Sequence, residues 1–184
     1  MRCFIGVPVE HHLALELLTH RDRGLQALAG TNPRPISARN FHLTLAFLSD
    51  ISAEVAVAVG ESLARVAQNH AEFLQPLTDV RRFPTRQGRY LVAEGAACVE
   101  LLALKRALDY ELVSLGITPD SLSFRPHITL VRSAVSKLAV PEWTVTASLT
   151  VSEIALYESV SSVSALGMRE NEYRVWVRSP LLRR

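Results

Sequence analysis

"FRPHITLVRS", from Phe124 to Ser133, sets a histidine and a threonine two residues apart inside a run that otherwise reads as a buried β-strand. Much earlier, "NFHLTLAFLSD", from Asn40 to Asp50, repeats the pattern. Side chains at i and i+2 of a strand project from the same face. His42 and Thr44 therefore share a face, as do His127 and Thr129, while Phe41, Leu43, Leu45, Ile128 and Leu130 point the other way. The apolar face anchors each strand. The polar face must look into a wet or charged space, because an unpaired imidazole and hydroxyl are costly in a dry core. A lone strand histidine is usually a satisfied structural residue, and His11, His12, His20 and His70 lack the threonine companion. What sets 42 and 127 apart is a shared context: a loop, an apolar-flanked His-x-Thr, then an apolar continuation.

Outward from these strands the chain mixes helix and strand signals. "CFIGVPV" (Cys3 to Val9) is a short apolar run that predicts a buried first strand. Leucines at 13, 17, 25 and 28 predict a helix over 10–29, and "GTNPRP" (Gly30 to Pro35) a loop. Ser52 is the expected N-cap of an alanine-rich helix over 53–68. Two strands, 73–83 and 89–94, flank the turn residues "PTRQG". Leu101, Leu104, Leu108, Leu112 and Leu115 form one apolar stripe, with Gly116 as the stop. Three further strands are expected at 143–150, 154–158 and 173–177. This order predicts an α+β fold with largely antiparallel sheets. Neither a G-x-G-x-x-G nor a Walker loop occurs, which disfavours a doubly wound nucleotide fold.

Composition limits the function classes. The 184 residues suit one domain or two intimately joined lobes, and the formal net charge is only +2. That excess does not suggest a nucleic-acid coat protein, but leaves room for a local basic pocket that attracts one phosphate. The two cysteines, Cys3 and Cys98, are unclustered, which argues against a disulfide framework or a Cys-x-x-Cys zinc site and suits a reducing cytosol. No stretch approaches the roughly 18 apolar residues of a membrane span. A cytoplasmic protein with no membrane role is expected.

If the two His-x-Thr strands lie side by side, their chemistry follows. Two imidazoles across a groove can hold one proton between them. One neutral ring takes a proton from an attacking water and the other, protonated, gives one to a leaving oxygen. The threonine hydroxyls can donate to non-bridging phosphate oxygens as negative charge grows there. Such a site needs no metal, cofactor or covalent intermediate.

At these residues the chain resembles the two-histidine (2H) phosphoesterase superfamily, and within it the LigT-like RNA 2′,3′-cyclic phosphodiesterases of the 2′-5′ RNA ligase type. "MRCFIGVPV" is similar to the family's opening strand, "FHLTLAFLSD" and "FRPHITLVRS" to its two signature motifs, and "FPTRQGRYLVAEGA" to the hairpin between them. "VSEIALYES" and "YRVWVRSPL" are similar to its closing strands. The resemblance implies a single bilobal domain over 1–184. Two pseudo-symmetric lobes of antiparallel sheet would carry helices outside and a central groove. It implies hydrolysis of an RNA-terminal 2′,3′-cyclic phosphate to a 2′-phosphomonoester. It also implies that some relatives reversibly join or break 2′-5′ linkages without ATP. By the motif, His42 and His127 are the acid–base pair and Thr44 and Thr129 the phosphate donors. We take His127 as the base for water and His42 as the acid to the 3′ oxygen; the sequence leaves that order open.

Arg132 is expected to turn toward the phosphate if its strand ends near Val131. Arg125 and Arg39 precede the two motifs and could lend positive potential. Arg81, Arg82, Arg86 and Arg89 could form a basic rim for RNA. Relatives often carry a tryptophan in the hairpin strand where this chain has Val92, so Tyr90 or Phe41 is the candidate base platform. The expected partners are RNA 3′ ends with a cyclic phosphate, or nucleotide cyclic phosphates, acted on by a monomer. Three rivals stay open. One is a phosphodiesterase for a small cyclic phosphate such as one on ADP-ribose. Another is an RNA- or nucleotide-binding module without turnover. The last is a zinc hydrolase, which lacks an evident third ligand.

Overall fold

The computed structural model describes residues 1–85, 88–118, 124–133, 142–163 and 169–183. Its elements follow the sequence periods: β1 (Arg2–Pro8), α1 (His11–Ala27), β2 (Arg34–Pro35), a 3₁₀ turn (Ala38–Asn40), β3 (His42–Asp50) and α2 (Ala53–Ala67). Then come β4 (Phe73–Phe83), β5 (Tyr90–Glu94), α3 (Val99–Ser114), β6 (His127–Arg132), β7 (Trp143–Val151), β8 (Glu153–Val163) and β9 (Arg169–Pro180). Among the described residues these strands form one nine-stranded sheet in the order β7-β4-β5-β6-β3-β1-β8-β9, with β2 also pairing β6. All pairings between these strands are antiparallel. The fold is α+β, as the sequence predicts.

The helices bury the stripes their sequences carry. In α3, Leu101, Leu104, Leu108 and Leu112 are fully buried. In α2, Ala56, Val59, Leu63 and Val66 are buried, and the Ser52 hydroxyl caps the helix by accepting from the Val55 amide at 3.3 Å. Gly116 takes the left-handed conformation (φ +75°) that ends α3. β8 and β9 are longer than their expected cores, because they pair with each other beyond the apolar stretch.

β3 and β6 lie beside each other near the middle of the sheet, and Leu43 pairs with Ile128 at their crossing point. That register decides the site. Extended by one residue each way, an antiparallel register through that pair sets His42 toward Thr129 and Thr44 toward His127 around a local two-fold centre. The histidines are then diagonal neighbours, for which about 7–8 Å between strand positions is usual. Imidazoles reaching inward from such positions can contact one phosphate together.

A backbone irregularity recurs on both strands. β1 pairs Ile5 with Ala46 but Gly6 with Thr44, which leaves Leu45 as an extra residue. β5 pairs Leu91 with Val131 but Val92 with Thr129, which leaves Leu130 extra. Each bulge reverses the inside–outside alternation just after the threonine. Gly6 serves the same strand: a Cβ there would lie 2.9 Å from the Leu43 carbonyl oxygen, so only glycine lets β1 approach β3 this closely.

Candidate active site

A groove of about 430 Å³ is lined by His42, Thr44, His127 and Thr129, with Arg132, Tyr90, Phe47 and Arg2 around them. Two His/Thr pairs from distant parts of the chain thus share one cavity. They do so because each sits on the face of its strand opposite the buried Leu43, Leu45, Ile128 and Leu130.

Both rings are held in the same way. The Nδ1–H of His42 donates to the Asn40 carbonyl at 2.7 Å, and that of His127 donates to the Arg125 carbonyl at 2.8 Å. A bond from each Nδ1 to the carbonyl two residues back fixes the tautomer and leaves Nε2 for the groove. Their surroundings differ. His42 packs among Phe4 (4.6 Å between ring centroids), Tyr173 (5.0 Å, edge-on) and Tyr157 (5.9 Å). His127 stacks on Phe83 at 4.0 Å, and its cross-strand partner is Glu94.

Electrostatics follow from these surroundings. Burial pushes His42 down to about 4; the bond to Asn40 opposes this, and His127 and Arg132 add to it. Burial also lowers His127, while the Arg125 carbonyl and the Glu94 carboxylate oppose the fall. Both rings are therefore neutral at pH 7 before substrate binds. Burial raises Tyr157 to about 12, so the phenol beside His42 stays protonated.

The remaining expected residues divide. Arg132 lines the groove, but not because β6 stops at Val131: the strand continues, and the Leu130 bulge turns the arginine inward. Its Nη2 donates to the Tyr173 hydroxyl at 3.0 Å, and its Nε is buried without a hydrogen-bond partner among the described residues. Tyr90 lines the groove beside Arg132, its cross-strand partner, and is 40% exposed. Phe41 does not reach the groove; it is 4% exposed and packed in the core, because it points with Leu43. Arg125 does not line the groove either; its Nη2 alone donates to both Glu94 carboxylate oxygens at 2.8 Å. The expected basic rim also shrinks. Arg82 is 2% exposed, Arg81 pairs with Asp79 and Glu94, and Arg86 lies outside the described residues.

The sequence reading missed Phe47, which is 59% exposed and lines the groove. A signal was available: Phe47 and Arg132 each lie five residues beyond a motif histidine. Arg2, Phe83 and Tyr173 were also missed, and nothing in local pattern marks them. Among the described residues no three His, Cys, Asp or Glu side chains come together as a metal would need.

Comparison with known proteins agrees with this fold. A family model described as the 2′-5′ RNA ligase superfamily matches residues 17–162. The chain belongs to that superfamily. It is 28% identical over 158 residues to a protein of Escherichia coli K12 named RNA 2′,3′-cyclic phosphodiesterase, with 86% of each chain covered. It is 32% identical over 108 residues to an Aeropyrum pernix protein of the same name, covering 58% of this chain and 60% of that one. The crystal structure of E. coli LigT complexed with 3′-AMP superposes with a TM-score of 0.80 at 26% identity, over 98% of this chain and 97% of that one. A Thermus thermophilus structure superposes at 0.83 with 24% identity, over 98% of each chain, and shows the shared fold.

Proposed function

We propose that this protein hydrolyses a 2′,3′-cyclic phosphate at an RNA end to a 2′-phosphomonoester, with His42 and His127 as its acid–base pair. The observation that carries this reading is the pairing of Leu43 with Ile128, which gathers two His/Thr pairs around one point of one groove. The names of the E. coli and A. pernix relatives support it.

The cyclic phosphate lies over that centre. Thr44 and Thr129 donate to its non-bridging oxygens, and those bonds strengthen as charge builds. Arg132, which lines the groove, supplies a charge-assisted donor to a phosphate oxygen. His127 takes a proton from water through Nε2. The water oxygen bonds to phosphorus as the bond to O3′ breaks, and His42 protonates O3′. His42 must hold a proton to do this, and the bound phosphate anion favours its charged form. The exposed ring of Phe47 is the platform for the base, with Tyr90 across the groove in place of the relatives' tryptophan. With an RNA 5′ hydroxyl in place of water, the same groups run the joining reaction. The groove is complete within one chain, which supports a monomer, and two free cysteines support a cytoplasmic setting.

The reduced basic rim favours a second reading, in which the substrate is a small cyclic phosphate. Both are tested together. A 2′,3′-cyclic-phosphate oligonucleotide, a mononucleotide and ADP-ribose cyclic phosphate are offered with chelator present, and the hydroxyl that keeps the phosphate is identified. Preference for the oligonucleotide with a 2′-phosphate product supports the first reading. Preference for the small substrates supports the second. Binding without turnover of any of them would leave a binding module, and loss of turnover in chelator would revive the zinc hydrolase.

A further inference from the structure

The two imidazoles are anchored alike but braced differently. Each Nδ1–H donates to the carbonyl two residues before the histidine, and that same residue's side chain then grips a neighbouring segment. In the first half, Asn40 Nδ2 donates to the Asn171 carbonyl of β9 at 2.9 Å. In the second, Arg125 binds Glu94 of β5 through both carboxylate oxygens at 2.8 Å and donates to the Pro84 carbonyl at 2.7 Å. Glu94 is 7% exposed and stands opposite His127 in the ladder, where His42 has Pro8. The Arg125 guanidinium also sits 4.8 Å over the Phe83 ring, which stacks on His127.

We propose that Arg125 and Glu94 form an ionic clamp that positions the His127 ring, where the first half relies on the uncharged side chain of Asn40. The clamp holds the carbonyl that accepts from Nδ1 and the phenylalanine that supports the ring face. Both are positioning residues, acting through His127 and not on the substrate. The clamp also places one negative and one positive charge beside a titrating ring. The other groups facing His127 are Arg81 of β4 behind Glu94, His42 across the groove on β3, and Arg132 at the far end of β6.

This rests on His127 being half of the acid–base pair, but its test separates the two claims. The His127 midpoint is read by NMR in the unliganded protein, and kcat and KM are read with a cyclic-phosphate oligonucleotide. Glu94→Gln moves the midpoint to lower pH, because a carboxylate that favours the imidazolium is gone. Arg125→Met moves it to higher pH. Arg125→Lys keeps the wild-type midpoint and recovers only part of kcat, since the charge stays but one ammonium cannot hold Glu94 and the Pro84 carbonyl as Nη2 and Nη1 do. In Glu94→Gln and Arg125→Met, kcat falls about tenfold to a hundredfold with KM changed less than about threefold. A midpoint unmoved in Arg125→Met overturns the clamp, as does an unchanged kcat. If Glu94→Gln does not fold, the two Arg125 variants decide, because that side chain is 40% exposed. If the wild type proves inactive, the proposed function fails while the midpoints still test the clamp.

Discussion

The half of the groove around His42 and the half around His127 share a backbone plan and differ in chemistry. Each has a histidine, a threonine two residues on, an extra leucine, and a groove-facing residue at the fifth place. That residue is Phe47 in one half and Arg132 in the other. His42 is packed by three aromatic rings and His127 by one, with a carboxylate opposite it in the ladder. On the proposed function, a symmetric backbone supplies two equivalent hands for one phosphate. Broken symmetry in the side chains gives one half a flat apolar surface and the other a cation, which on the same proposal are the base end and the phosphate end of a nucleotide site.

The severest way to break this comparison is to delete each ring. His42→Ala and His127→Ala should each reduce turnover by roughly a hundredfold to ten-thousandfold, the usual weight of acid–base catalysis. A fall under about threefold in both would remove the reason for pairing the halves. Next, Thr44→Val and Thr129→Val should each cost roughly tenfold to a thousandfold in kcat, like losing one oxyanion donor. A loss confined to one threonine would show that the phosphate does not straddle the two-fold centre. Smaller effects should separate the fifth positions. Arg132→Met should lower kcat/KM by about tenfold to a hundredfold for any cyclic phosphate. Phe47→Ala should raise KM by about tenfold for substrates bearing a base and leave abasic ones unchanged.

Acidity sharpens the contrast further. The proposed mechanism needs one ring charged and one neutral, and burial lowers both. The pH profile of kcat/KM, which reports the free protein, should be a bell with its maximum on the acid side of 6.5. A maximum above about pH 7.5 would contradict the low proton affinity of the two rings. The smallest effect is on stability. An unfolded histidine titrates near 6.5, while His42 in the fold titrates at about 4. Its neutral burial therefore stabilises fully above 6.5, and that contribution is lost as pH falls toward about 4. His42→Leu should flatten the fall of Tm across that window.

Much of this is legible in the sequence. A β-strand repeats every two residues, so the spacing in "FHLTL" and "PHITL" alone placed each His and Thr on one face. The 3.6-residue spacing of leucines marked α3, and Ser52 and Gly116 marked helix ends, because propensity and capping act locally. The fifth-position residues were harder. Strict alternation assigns Phe47 and Arg132 to the buried face, and bulges at Leu45 and Leu130 turn them out. Nothing in two similar leucines announces which will be left unpaired. The ion pairs of Arg125 and Arg81 were illegible for a related reason: a charged residue in sequence does not reveal whether a carboxylate on another strand will claim it, as Glu94 claims both.

The sequence by itself determined the helices and strands, the pairing of each histidine with its own threonine, and the character of two apolar strand faces, since all of these depend on neighbours within a few residues. The tertiary structure alone decided that Leu43 meets Ile128, that the two motifs therefore face one another, and that Glu94 stands beside one imidazole and aromatic rings beside the other. Those outcomes depend on strand register and on contacts between distant segments, which the whole sheet must satisfy at once.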